Sequence, residues 1–219
     1  MIPPRPPPFR HLRVTLPPLF PRRLAKLLVG LFLFGIGMSL MVRANLGLAP
    51  WDVLAQGLAR ATGWSFGTVV VVVGAGVLLL WWPLRQMPGL GTVLNTLLIG
   101  PSAEIGLWLL PDVHVLWQQV LAFAAGLVLL ALATGLYIGA RFGAGPRDGL
   151  MTGLHRRLGW PIWLVRTLLE GSALVAGWLL GGAVGVGTVA FALLVGPLVG
   201  KALPWLDTPL PATAAVAST

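Results

Sequence analysis

The sequence predicts an all-α polytopic membrane protein with six transmembrane helices in two inverted-topology three-helix repeats. A short helix is expected after the first span and another after the fourth. Three observations predict this fold: the ratio of apolar to charged residues, apolar runs of membrane-crossing length, and an internal repeat. Of the 219 residues, 57% are hydrophobic and only 10% charged, and the mean hydropathy is +0.88. Soluble domains carry about 25% charged residues, so there are too few here to cover a surface in water. A soluble enzyme and a coiled coil are excluded on that ground. The lack of cysteine excludes a disulfide-stapled domain, thiolate chemistry and Cys-ligated metal.

The chain opens on a Pro- and Arg-rich stretch, residues 1–23, read as a cytoplasmic tail. Arg5, Arg10, Arg13, Arg22, Arg23 and Lys26 crowd around the start of the first apolar run. Beside a hydrophobic helix such an excess marks a flank held by anionic lipid. Nucleic acid is not the expected partner, because no aromatic-interleaved basic module accompanies the charge. The first span, 24–42, is too long for the core of a signal peptide. Its small-residue stretch Gly35-Ile36-Gly37-Met38-Ser39 lies inside the run, so the span is read as retained. The remaining spans are expected at 65–82, 91–110, 117–140, 162–180 and 187–205, each near the length that crosses a hydrocarbon core of ~30 Å. Connections 43–64 and 141–161 are long enough for the two short helices. The repeats occupy 24–110 and 117–206, and 207–219 is read as a flexible tail.

The repeat appears when the sequence is shifted by 96 residues: Gly47–Pro101 aligns with Gly143–Pro197 without a gap, and 21 of 55 positions are identical. Apolar composition alone matches Leu with Leu. It does not match Pro50 with Pro146, Asp52 with Asp148, Arg60 with Arg156, Trp64 with Trp160, and Gly91-Thr92 with Gly187-Thr188 in one register. Three spans per half is an odd number, so the second half enters the membrane from the opposite face. Charge gives the orientation. With the N-terminus inside, twelve Lys and Arg fall on the cytoplasmic side and two, Arg43 and Arg60, outside, while Arg166 lies within a span. Both termini are therefore expected in the cytoplasm.

The repeated motif has a local physics. Pro50 and Pro146 suit the first position of a helix, since proline lacks the N–H that such a position leaves unpaired. Asp52 and Asp148 then fall in the first turn, at the positive end of the helix dipole. Two roles stay open for each carboxylate: a cap on a short surface helix, or one wall of a site where the halves meet at the pseudo-two-fold axis. The copies differ at Trp51 and Arg147. An aromatic beside one Asp and a guanidinium beside the other would make an asymmetric pocket for a solute with a polar end and an apolar body, though Arg147 also fits an ordinary cytoplasmic positive charge.

Polar residues within spans add a second set. Asn95 and Glu104 sit in the third span, Arg166 and Glu170 in the fifth. An ionisable group at mid-depth costs on the order of 2.5–3.5 kcal/mol, so each is expected to be partnered or functional. Arg166 and Glu170, four apart, share a helix face and can neutralise each other. Glu104 has no neighbour in sequence, so its contact must be tertiary, with Lys201 or an Arg; it is the candidate coupling carboxylate. Glycines at four-residue spacing, Gly135/Gly139, Gly177/Gly181 and Gly196/Gly200, suggest close helix packing and possible homo-oligomer faces. Trp64, Trp81, Trp82, Trp117, Trp160 and Trp205 at span ends read as interface anchors. His11, His114 and His155 are scattered, so no metal site, cofactor or catalytic constellation is expected.

At Pro50-Trp51-Asp52, Gly143 to Met151, the Arg166…Glu170 pair and Gly185-Val186-Gly187-Thr188, the chain resembles the YczE/YyaS/YitT family of bacterial integral membrane proteins. The resemblance covers about 24–205 and implies a bacterial inner-membrane location and a permease-like role, with no substrate attached. The expected function is a small-solute transporter embedded in the lipid bilayer, with an unidentified small polar solute held near Trp51, Asp52, Arg147 and Asp148. A non-transporting scaffold or accessory protein and a passive channel are the other readings.

Overall fold

The computed structural model describes residues 20–208. Most of the N-terminal tail, including Arg5, Arg10, His11 and Arg13, and all but the first two residues of the C-terminal one lie outside the described residues. The described residues form eight helices: α1 (Phe20–Ala44), α2 (Pro50–Thr62), α3 (Phe66–Leu79), α4 (Leu90–Leu109), α5 (Leu116–Gly139), α6 (Pro146–Leu158), α7 (Ile162–Leu179) and α8 (Val186–Leu206). Both expected short helices exist, as α2 and α6. Five helices, α1, α4, α5, α7 and α8, are each long and apolar enough to cross a membrane; α2 and α3 qualify only as one pair bent by 116°, which makes five spans or six. The expected span 65–82 ends early. Leu80–Arg85 form turns, because Pro83 brings no N–H and pushes the residue before it out of the helical region.

The core gathers around α1. Its Leu27, Leu31, Met38 and Met41 are buried in one cluster with Ile99 and Ala103 of α4 and Leu127 and Leu130 of α5. Small residues let these backbones approach: Gly37 faces Gly126, Gly35 faces Ser102, and the Ser39 hydroxyl donates to Ala103 O at 2.7 Å. Around this centre the helices contact in the order α8, α5, α1, α4, α3, α2, α7. The ring has no comparable interface between its two ends, α7 and α8. Helix α6 lies against α7, α3 and the edge of α4.

The two copies of the repeat fold alike. Every described residue with a left-handed backbone has a counterpart 96 positions away: Asn45 and Arg141 (φ 53° and 56°), Gly47 and Gly143 (119° and 121°), Gly63 and Gly159 (74° and 70°), Arg85 and Gly181 (52° and 89°). At φ near 120° only glycine is comfortable, which explains Gly47 and Gly143 immediately before the two short helices. The Gly-x-Gly-Thr motif then clamps the turn of the other copy. Gly187 N donates to Leu46 O (2.8 Å) and Leu48 N to Thr188 Oγ1 (3.1 Å); Gly91 N donates to Phe142 O (2.9 Å) and Thr92 Oγ1 to Ala144 O (2.7 Å).

Two packing expectations are corrected. Gly135, Gly139 and Gly177 do sit against neighbouring helices, but Gly196 and Gly200 have no atom within 4 Å of where a Cβ would stand. They line open space instead. Trp81 is not an interface anchor: it is 3% exposed, lies over Gly149, and its Nε1 donates to Pro146 O at 3.0 Å. A buried indole needs an acceptor, and the buried Pro146 carbonyl at the start of α6 supplies one.

Candidate functional site

The turn before α6 and the first residues of α2 and α6 bring the predicted site residues to one cavity of about 470 Å³. Trp51, Asn95, Arg147, Asp148, Arg166 and Glu170 all line it. Asp52 stands just behind them. It is 2% exposed, and Arg147 Nη2 donates to its Oδ1 at 3.4 Å while the guanidinium lies 5.3 Å from the centroid of the Trp51 ring. The equivalent positions that carry Trp51 in one copy and Arg147 in the other thus meet across the halves: Arg147 from the second copy covers both Trp51 and Asp52 of the first. Neither the ion pair nor the stacking was visible in the linear sequence, which placed these residues 95 positions apart.

Asp148 has a different environment. Its Oδ2 accepts from the Tyr137 hydroxyl at 3.3 Å, and Tyr137 itself is 7% exposed. Tyr137 is a site residue that the sequence reading passed over as part of a glycine face. Its signal was there, since it is the sole tyrosine of the chain and sits inside an apolar span. The Arg166–Glu170 pair forms as expected, Nε to Oε1 at 2.9 Å, and both side chains remain partly exposed toward the cavity. The other walls are apolar and aromatic, with Phe34, Val70, Ile99 and Phe191 among them.

Glu104 is a correction. It does not join this cluster, and its partner is neither Lys201 nor an Arg. Its Oε2 accepts from Gly67 N at 2.8 Å. The first N–H groups of a helix have no intrahelical partner, and Glu104 reaches across from α4 to satisfy one at the start of α3. The motif residues Pro50 and Pro146 occupy the first helical positions, and Gly91, Thr92, Gly187 and Thr188 form the crossed clamps described above. Pro146 also lines the cavity, and the others position the site without lining it. Among the described residues no group of three His, Cys, Asp or Glu is placed to hold a metal ion.

A family of unknown function, DUF6198, matches residues 21–203. An uncharacterized protein of Haemophilus influenzae is 40% identical over 173 residues, 79% of each chain. The uncharacterized membrane protein YczE of Bacillus subtilis is 34% identical over 179 residues, 80% of this chain and 82% of that one. YyaS of the same organism is 27% identical over 183 residues, 82% and 91%. No solved structure matches.

Proposed function

The chain belongs to the DUF6198 family, and from that premise we propose that it is a solute carrier of the bacterial inner membrane. In this reading six spans, with α2–α3 counted as one bent span, form two halves of inverted topology. Both termini lie in the cytoplasm, and the solute binds among Trp51, Arg147 and Asp148, with Asp52 holding Arg147 from behind. Asn95, Arg166 and Glu170 shape the polar end of the site, and the Phe34, Ile99 and Phe191 side accepts an apolar body.

One observation carries the reading: the cavity lies where equivalent elements of the two halves meet, and their seams are unequal. Helix α2 packs tightly on α7, and α3 on α4. A side chain at Gly57 or Gly177 would collide with the other helix, as would one at Gly67 or Gly100. The counterparts are loose. The α3–α6 contact is held off by Trp81 over Gly149, and α7–α8 is open. A cavity sealed on the α2 side and loosely covered on the α6 side is what a carrier holds in one of its two states. A passive pore is disfavoured, because the half-buried Asp52–Arg147 pair closes the α2 end.

The chain has no cysteine, which makes single-cysteine labelling clean. Ala55→Cys and Met151→Cys occupy equivalent positions of α2 and α6. The expected result is labelling of Met151→Cys from the α6 side and protection of Ala55→Cys, with the pattern reversing in energised vesicles supplied with solute extract. Simultaneous labelling of both would mean a pore, and a pattern that never changes would mean a scaffold; either overturns the carrier.

A further inference from the structure

The α7–α8 seam is not simply a relaxed version of the α3–α4 seam. Two features hold α3 to α4: the mutual approach of Gly67 and Gly100, and the hydrogen bond from Gly67 N to Glu104. Ninety-six residues on, Trp163 stands for Gly67 and Gly200 for Glu104. Trp163 cannot make the backbone approach that Gly67 makes and the bridging carboxylate is gone; Gly196 and Gly200 face open space. Gly196 falls at the middle of α8 and Glu170 at the middle of α7. Once those helices cross a bilayer, the opening lies at the depth of hydrocarbon, between the apolar edges Leu169, Val195 and Val199.

Inside, the charges are unevenly matched. Arg147 is taken by Asp52, and Arg166 by Glu170. Asp148 has the Tyr137 hydroxyl as its hydrogen-bond partner, and the Arg147 and Arg166 guanidinium groups act on it only through space. The α6 N-terminus offsets part of its charge but supplies no cation. Trp51, Tyr137, Phe34 and Phe191 line the same cavity, and the faces of aromatic rings attract positive charge on an apolar body.

We propose that the α7–α8 seam is a lateral doorway through which an organic cation with an apolar body passes between the bilayer and the cavity, where Asp148 receives its charge. The proposal rests on the reading of the cavity as a solute site. An anion of the same shape would meet Asp148 and Glu170 with both arginines already paired. A small hydrated cation would have to shed its water to cross the apolar sill.

The test uses the full chain in lipid nanodiscs, with tetraphenylphosphonium as the probe and empty discs as the blank for lipid partition. Saturable binding is expected, undisturbed by equal concentrations of tetraphenylborate (same shape, opposite charge) or tetramethylammonium (same charge, no apolar body). Asp148→Asn should weaken it at least about tenfold, and Asp148→Glu should restore much of the loss. Gly196→Trp adds bulk to open space; it should slow association at least about threefold and leave thermal melting unchanged. Binding that survives Asp148→Asn, or equal displacement by tetraphenylborate, overturns the cation. Unchanged association in Gly196→Trp, ready displacement by tetramethylammonium, or a disulfide between two copies of Gly196→Cys overturns the doorway. Alternating labels at Ala55→Cys and Met151→Cys without phosphonium binding would leave the carrier standing and remove only this proposal. Static labels with Asp148-dependent binding would do the reverse.

Discussion

Asp52 shows how one residue can close a site without lining it. Its carboxylate is buried, at 2% exposure, with Arg147 at 3.4 Å as its ionic partner. Taking a charge out of water costs several kcal/mol, and removing one member of such a pair strands the other. Arg147 retains about a third of its exposure, so water relieves part of that cost. Asp52→Asn is therefore expected to destabilise the protein by about 1–3 kcal/mol, below the full penalty of a dry pair, read as a lower melting temperature in detergent. Arg147→Lys should not rescue the site, because an ammonium cannot stack on Trp51 and reach Asp52 as a planar guanidinium does. No change in melting for Asp52→Asn would mean that the pair contributes nothing to closing the α2 end.

At the scale of elements, the basic residues at the start of α1 do more than orient the chain. Arg23 Nε donates to Ala140 O at 2.9 Å, and Lys26 Nζ to Leu206 O at 2.7 Å and Thr208 Oγ1 at 2.8 Å. Both tie α1 to the C-terminal ends of α5 and α8, where carbonyls lack partners and the dipole favours cations. Arg141 and Asp207 join the same two ends by an ion pair. That hydrogen bond, helped by the guanidinium charge, holds the Asp207 carboxyl below its ordinary range. A carboxyl lowered by folding adds stability above its ordinary titration range, and that contribution is lost as pH falls through the lowered value. Melting temperature should thus fall on acidification below the usual carboxylate range, and Asp207→Asn should flatten this part of the curve. Identical acid limbs for the two proteins would mean that the α5–α8 tie is indifferent to the pair.

For the whole molecule the consequential feature is an imperfect symmetry. Backbone turns, helix starts and crossed clamps repeat faithfully, yet Trp81 replaces the counterpart of Gly177 and Trp163 that of Gly67. Each exchange loosens the same side, leaving α7 and α8 apart and α6 lightly held. Trp163→Gly gives the second copy the residue the first copy has. It should let α7 approach α8 at Gly196 and reduce labelling of Met151→Cys from the α6 side at least about threefold, since small residues permit close backbone contact. Unaltered labelling would mean that Glu104, more than the glycine pair, decides which seam closes.

The sequence by itself determined the membrane setting, the helical class, the repeat, both short helices and the Arg166–Glu170 pair. All of these depend on local composition or on spacing along one helix, and such periodicities can be read from a linear chain. Asp52, Asp148, Trp51 and Arg147 were legible as candidates because their repetition, or the break in it, is itself a linear signal. Only the tertiary structure decided that Arg147 reaches back to the other half, that Tyr137 meets Asp148, that Glu104 caps α3 and that Trp81 is buried over Gly149. It also decided which of two equivalent seams stays open. Those outcomes depend on side chains tens of residues apart competing for the same volume, and close packing lets only one of two equivalent arrangements fit.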